Sequence, residues 1–508
     1  MNIVFYSNNS NYFDSETFLI NTLPSWQDQI EELQKNHPEH NFFAVTQKPG
    51  MFLTSSADYA ELEATSTEAN HIFLKDNVIL INSDDTQEVV SLIKSLKPDL
   101  AIALSFWTVP YDWLPVKDSL IGEGLRELGI KVICHPLETT MLCFNKQETH
   151  AFLEKHNINC AKALFVNHDL YFSADSKKEV RYNVYKEAVI KKLGKMRLPL
   201  IIKDPLGLSS YGMQLVNTLG EARAYLNSRK NNSDRIVEEY ICGQQFGCEI
   251  YRAADGKCVI LPPFKFSVNQ YGITSPKQSV KFGPLFSDED CALYKLDDLY
   301  KMLSVLAEKL ELCGPAQVDL VFDDEKWYVI EVNPRLSGMT TSYWCACKEI
   351  FGSSPNMTLS YQNSTSSQED MTSSLNFYDF ILTMLSVIPI PSNTVISVPS
   401  NTVISVPSNT VISVPDTKIY NYTLNIKFPI LPEEKLQQLY RTSGVSFLCQ
   451  TEDKAARQER ETGYCEAIIT GKTKNDLLET LTTIESTIPE IIEPQFFDTA
   501  RKMIIKNE

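Results

Sequence analysis

Histidine is missing from two thirds of this chain: all seven copies in the 508 residues lie at or before His168. Chemistry in the remainder is therefore expected to run on carboxylates, lysine, arginine and backbone amides. Cysteine is sparse as well, with twelve residues, no C-x-x-C pair, and no histidine close in sequence to Cys345 and Cys347. This excludes a disulfide-dense secreted scaffold and favours scattered reduced thiols over a zinc site. Basic charge is in short supply. Forty-seven Lys and Arg stand against 64 Asp and Glu, a net −17, the wrong balance for neutralising a phosphate backbone, so no nucleic acid partner is expected. No apolar run approaches the ~18–20 residues that cross a bilayer, and Met1–Ser7 places no cationic region ahead of an apolar one. The expectation is a soluble cytoplasmic protein with no membrane partner.

What remains is ample for several cores, since 43% of residues are hydrophobic and roughly 150 residues per domain gives three or four domains. Residues 1–138 alternate apolar strand runs (Ile3–Tyr6, Phe42–Val45, Val78–Ile81, Leu100–Leu104, Lys131–Cys134) with helical spacing at Ser25–Lys35, Glu88–Leu96 and Gly122–Leu128. That order predicts a parallel sheet covered by helices. It contains no G-x-G-x-x-G turn for a dinucleotide. A helical stretch from Thr139 to His156 opens a second region, 139–390, which a helix from Asn376 to Val387 closes. Residues 391–415 hold three consecutive copies of Pro-Ser-Asn-Thr-Val-Ile-Ser-Val. Uncharged and rich in Pro and Asn, they read as a surface linker or loop tract dispensable for chemistry, with a three-rung β-solenoid as the alternative. Strand and helix patterns across 416–508 predict a terminal α+β domain.

Within the second region, Leu200–Lys203 is an apolar strand ending in a cation. The Ser/Gly-rich loop after it contains Ser209, Ser210 and Gly212 and leads to a second strand, Gln214–Val216. Such a hairpin can surround a polyphosphate with one ammonium and several backbone N–H donors, although an ordinary hairpin has the same pattern. Ile236–Gly243 is a strand running into a turn with paired carboxylates, Glu238 and Glu239, which suit either a nucleoside or solvent. The most informative element is the hairpin Ala316–Asp323 and Trp327–Arg335. Alternation puts Glu331 and Asn333 on one face and Ile330 and Val332 toward the core, with Asp319 able to join from the partner strand. Three hard oxygen side chains without His or Cys suit Mg²⁺ completed by substrate phosphates. Arg335 can meet anionic charge developing beside such an ion. An exposed polar strand face is the alternative, but both strands are otherwise apolar, and a carboxylate there without a counter-ion is costly.

The order Lys146, Lys203 with its Ser/Gly loop, Glu238-Glu239-Tyr240-Ile241, Asp319, and Glu331-Val332-Asn333-Pro334-Arg335 resembles the ATP-grasp superfamily. The resemblance is to its carboxylate–amine (amino-acid) ligases in the D-alanine–D-alanine ligase and biotin-carboxylase-like branches, and it runs from the N-terminus to about residue 390. It implies a mixed α/β and α+β molecule: a Rossmann-like pre-ATP-grasp domain, an ATP-grasp domain of two α+β subdomains with nucleotide between them, and a closing C-terminal α+β domain. It further implies ATP and Mg²⁺ as cofactors, with Mn²⁺ as a substitute, small carboxylate and amine substrates, and the homodimers common among relatives. By position, Lys146 and Lys203 would contact phosphates, Ser209, Ser210 and Gly212 would form a flap, and Glu238, Glu239, Tyr240 and Ile241 would line the adenine side. Asp319, Glu331 and Asn333 would hold the metal, and Arg335 and Lys203 would act on the acylphosphate. Two positions depart: Gln245 stands where many relatives carry a ribose-binding acid, and Gln317 where D-alanine–D-alanine ligases carry an arginine. The implied reaction joins an acid, activated by ATP as an acylphosphate, to an amine. A carboxylase-type member, or a nucleotide-binding relative without turnover, is the alternative. Because an acylphosphate must be kept from water, a lid is expected, and Phe264–Phe286, with Lys265, Tyr271, Lys277 and Lys281, is the candidate.

Overall fold

A computed structural model of the protein describes residues 1–8, 18–22, 26–47, 71–75, 77–81, 83, 85–105, 114–173, 183–206, 213–268, 279–351, 376–388, 412–413, 420–451, 464–488 and 495–505. Six strands near the N-terminus make the first sheet: β1 (Asn2–Ser7), β3 (Asn41–Gln47), β4 (His71–Lys75), β5 (Val78–Ile81), β6 (Leu100–Ala103) and β7 (Lys131–Ile133). Their order is β4-β5-β3-β1-β6-β7, parallel except for β4. Ile3, Val4, Phe5 and Tyr6 are all buried, as a central parallel strand covered on both faces requires. The helices Thr86–Ser95 and Leu114–Glu127 supply part of that cover. The alternation predicted every strand of this sheet except β4, an antiparallel edge strand outside the βαβ rhythm.

The second sheet is antiparallel, in the order β10-β9-β11-β8, from β8 (Ala163–Val166), β9 (Leu200–Lys203), β10 (Gln214–Val216) and β11 (Arg235–Glu239). Leu200, Ile202 and Val237 turn to a core of their own with Leu193 and Leu226. Period-two alternation leaves Lys203 and Glu238 on the opposite face.

The third sheet is the largest. It comprises β2 (Phe18–Asn21), β12 (Gln244–Arg252), β13 (Cys258–Ile260), β14 (Phe264–Phe266), β15 (Ser279–Gly283), β16 (Gly314–Phe322), β17 (Trp327–Asn333), β18 (Ile412–Ser413), β19 (Tyr422–Phe428), β20 (Val445–Thr451) and β21 (Cys465–Gly471). The path is β17-β16-β12-β14-β15-β19-β21-β20-β2, with β13 on β12 and β18 on β13. The terminal segment therefore continues this sheet rather than building a separate one. Both ends of the expected lid are sheet: β14 and β15 pair with each other and with β12 and β19, while residues 269–278, with Tyr271 and Lys277, lie outside the described residues. The repeat tract also lies outside them, apart from Ile412 and Ser413, which pair in parallel with β13. The helix Phe377–Met384 is buried on all sides, not along one stripe as its spacing predicts. Among the described residues, no helix is long and apolar enough to cross a membrane.

Candidate functional site

One short helix links the second and third sheets. Lys146–Lys155 begins under the cap of Asn145, whose side chain accepts from the Gln147 amide at 3.0 Å, and the Lys146 amide donates to the Pro205 carbonyl just past β9. Lys146 and His150 lie four residues apart and so share a face. Lys146 Nζ meets Glu331 Oε1 on β17 at 2.9 Å, and His150 Nε2 meets Glu238 Oε1 on β11 at 2.7 Å. Lys203 Nζ reaches the same Glu238 oxygen at 2.7 Å. Burial would raise the Glu238 carboxyl, but Lys203 and His150 outweigh it and hold the group at about 2. Lys146 and Lys203 are thereby both fixed by carboxylates. The Glu238 side chain is engaged in holding Lys203, whereas Glu239 turns outward to Lys162 and Arg197. Tyr240 and Ile241 follow at the half-buried end of β11, and the Tyr240 amide donates to Pro199. Ser209, Ser210 and Gly212 lie outside the described residues.

The β16–β17 register sets Asp319 opposite Glu331 and Gln317 opposite Asn333. These four side chains share one face, and Val318, Leu320 and Val332 pack in the core on the other. Ile330 departs from its expected core position. A bulge shifts the register between Asp319 and Leu320, so that Leu320 pairs with Val329. Val329 takes the core place and Ile330 is only partly buried. The extra residue, Ile330, stands directly before Glu331, and bulges are common beside functional sites.

Gln317 organises the face, its Nε2 donating to Asp319 Oδ1 at 2.5 Å and its Oε1 accepting from Asn333 Nδ2 at 2.9 Å. Arg335 Nη2 donates to Asn333 Oδ1 at 3.0 Å. Burial and then the facing Glu331 raise the Asp319 carboxyl to about 6. Glu331 is held below the ordinary range because Lys146, Lys203 and Arg335 outweigh its burial. Two half-buried carboxylates in register repel each other, which a divalent ion between them would relieve. No group of three or more His, Cys, Asp or Glu able to hold a metal occurs among the described residues. The donor set that fits Mg²⁺ is thus two carboxylates and an amide, leaving positions for water and phosphate oxygens.

Several residues of this face escaped the sequence. Lys281 was expected on a lid, yet β15 places it on the site side, over the Phe266 ring at 5.6 Å, where its charge acts on Asp319 and Glu249. Lys265 points the other way, to the Met503 carbonyl. Glu249 sits opposite Gln317 and accepts from Tyr251, Ser337 and Thr340 at 2.7 Å each, its carboxyl raised by burial to about 7. Histidine returns in space to a region that lacks it in sequence: His150 at Glu238, and His135, which bonds the Pro315 carbonyl through Nε2 and accepts from the Cys313 amide at Nδ1. The spacing of His150 to Lys146, one helical turn, was the signal available for the first. Nothing local marked the second.

Residues 143–339 match the family model of the ATP-grasp domain, and the chain has the ATP-grasp fold of the solved structures it resembles. The L-amino acid ligase from Bacillus licheniformis is similar over 96% of this chain and 97% of its own, at 14% identity and a TM-score of 0.56. N5-carboxyaminoimidazole synthetase from Staphylococcus aureus, complexed with ADP, is similar over 95% and 96% at 10% identity and 0.55. N5-carboxyaminoimidazole synthase from Aspergillus clavatus, in complex with ADP and 5-aminoimidazole ribonucleotide, is similar over 96% and 98% at 11% identity and 0.54.

Proposed function

We propose that this protein is an ATP-dependent ligase that phosphorylates a small carboxylic acid and joins the acylphosphate to an amine, releasing ADP and phosphate. The observation that carries the proposal is the half-buried face on which Asp319, Glu331 and Asn333 converge, with Lys146 and Lys203 anchored beside it by Glu331 and Glu238. Amide formation from a carboxylate needs a better leaving group than oxide. Transfer of the terminal phosphoryl group of ATP provides it, and catalysis of that step consists of alignment and charge stabilisation. Mg²⁺, when bound, would neutralise the phosphates. Lys146 and Lys203 would hold phosphate oxygens, while Arg335 and Lys281 would meet the acid and then the charge of the tetrahedral intermediate. No step in this scheme needs histidine at the reacting atoms. The likeness to an L-amino acid ligase supports an amino acid as one substrate, and the likeness to carboxyaminoimidazole synthetases supports a carboxylase-type reaction, with bicarbonate as the acid, as the second reading.

The test is phosphate release from Mg·ATP, screened over the common amino acids as acid and amine and, separately, over bicarbonate with amines. Dependence on both an acid and an amine is expected, and Glu331→Ala should lower it by about 10²–10³ while ADP binding persists. Phosphate release that needs no acceptor, or full activity in Glu331→Ala, would reject the proposal.

A further inference from the structure

A second group of buried polar side chains lies where the first sheet meets the β16–β17 hairpin. At the carboxyl ends of β1 and β6, Asn8 and Ser105 turn toward Asp118 of the helix Leu114–Glu127. Ser105 Oγ donates to Asp118 Oδ1 at 2.7 Å, and Asn8 Nδ2 donates to the same oxygen. Asp118 is 5% exposed and lines a pocket with Ser105, His135, Pro315, Pro334 and Arg335. Ligands of open α/β sheets bind beyond the carboxyl ends of the strands, and this pocket lies there. One wall belongs to the first sheet. The other carries Arg335, which is bonded to Asn333 of the oxygen face.

The pocket is narrow, with a volume of about 10 Å³ open to water, roughly the size of one water molecule, which is also the size of an ammonium group. The other ionisable groups around Asp118 do not neutralise it. Burial holds Cys134 and His135 uncharged and raises the Tyr6 phenol. Arg126 is bonded to the Cys134 carbonyl. Lys117 attracts the carboxylate, yet no cation lies within ion-pair distance of it among the described residues. A buried carboxylate satisfied only by neutral donors is costly unless a cation reaches it. Burial raises its carboxyl to about 7, so it can take up a proton near neutral pH.

We propose that Asp118 receives the amine substrate, binding its ammonium group in this pocket and accepting the proton that must leave before attack; the inference rests on the ligase reaction proposed above. One N–H proton of R–NH₃⁺ passes to the Asp118 carboxylate, giving the neutral amine. Its lone pair forms the C–N bond at the acyl carbon as the carbon–oxygen bond to phosphate breaks, and the second proton leaves on the departing phosphate. The substrate class is a primary amine that is cationic in solution, such as the α-amino group of an amino acid.

Hydroxylamine tests this, because it is uncharged at neutral pH and traps an acylphosphate as the hydroxamate without needing a base. With the full chain, Mg·ATP and the common amino acids, hydroxamate and amide formation are measured for the wild type and for Asp118→Asn, which can still accept from Ser105 and Asn8. In the variant, hydroxamate formation should stay within about threefold of wild type, while the KM for the amine rises and kcat for amide formation falls, at least about tenfold together in kcat/KM. Equal amide kinetics would overturn the assignment. Parallel loss of both products would also overturn it, by making Asp118 structural, and the same parallel loss in Asp118→Ser would establish that structural role. If the wild type gives no hydroxamate with any acid, the ligase reading itself fails; hydroxamate with an unchanged variant fails only the role of Asp118.

Discussion

Lys203 and Glu238 form one buried pair whose charges bear on stability and, on the proposed reaction, on ATP binding. Glu238 stays ionised down to about 2, below its ordinary value of 4.5, so it contributes stability that is present above pH 4.5 and lost as pH falls through about 2. The shift corresponds to about 3 kcal/mol. Glu238→Gln leaves the Lys203 ammonium buried without its partner, a change that typically costs ~3–5 kcal/mol. A fall in Tm of several degrees, with a raised KM for ATP, is the expected result. An unchanged Tm would show that Lys203 finds another counter-charge. Asp319 behaves with the opposite sign. Its carboxyl is raised to about 6, so the folded state holds a proton that the unfolded chain has lost, and stability declines as pH rises from 3.8 to 6. A divalent ion bound there relieves the repulsion only when Asp319 is ionised. Mg²⁺ with ADP should therefore raise Tm more at pH 7.5 than at pH 5, and an equal rise at both would remove Asp319 from the metal set.

At the scale of the element, the β12–β16–β17 ribbon shows what was legible beforehand. Alternation placed Asp319, Glu331 and Asn333 on one face, because the pleat enforces period two; that Gln317 joins them came from the register. The bulge at Ile330 was hidden, since nothing in an apolar run marks which residue is extra. Lys281 was misplaced for a related reason: a polar stretch between strands looks like a loop until β12 and β19 are known to flank it. Gly247, opposite Asp319, is another such position. A Cβ there would lie 2.3 Å from the Phe266 ring and 2.7 Å from the Met339 sulfur, both of which cover the strand beside the site. Gly247→Ala should cost ~1–3 kcal/mol through overpacking and disturb Lys281, which rests on Phe266, so turnover should fall more than Tm. The repeats make the complementary case. Among the described residues, the third copy supplies Ile412 and Ser413 to β13, and deletion of the first two copies, Pro391–Val406, should leave Tm and turnover unchanged. Removal of all three copies should lower Tm by a few degrees, the scale of about 1 kcal/mol in a chain of several domains.

Across the whole molecule, the parallel strands of the first sheet could be read from βαβ rhythm, but the contacts that join distant segments could not. His135 and His150 act on partners far along the chain, and sequence distance conceals such meetings. The same long-range burial sets an unusual response to acid. Asp118, Glu249 and Asp319 have carboxyls raised to about 7, 7 and 6, chiefly by burial. Each binds a proton more tightly in the folded state, and so loses stability as pH rises through the interval between its ordinary and its raised value. His135 opposes them. Burial lowers it to about 4, and as pH falls from 6.5 toward 4 the unfolded chain gains a proton that the folded protein refuses. Three groups favour mild acid and one resists it, while Glu238 and Glu331, both held low, keep their charge throughout this range. Without nucleotide or metal, Tm should therefore rise by several degrees between pH 7.5 and 5.5, against the usual direction of acid destabilisation. Glu249→Gln should reduce that rise by removing one of the three carboxyls, whereas His135→Phe, though less stable at pH 7.5 for want of two hydrogen bonds, should steepen it. A Tm that declines from pH 7.5 to 5.5 in all three proteins would show that these carboxyls are not withdrawn from water as the fold places them.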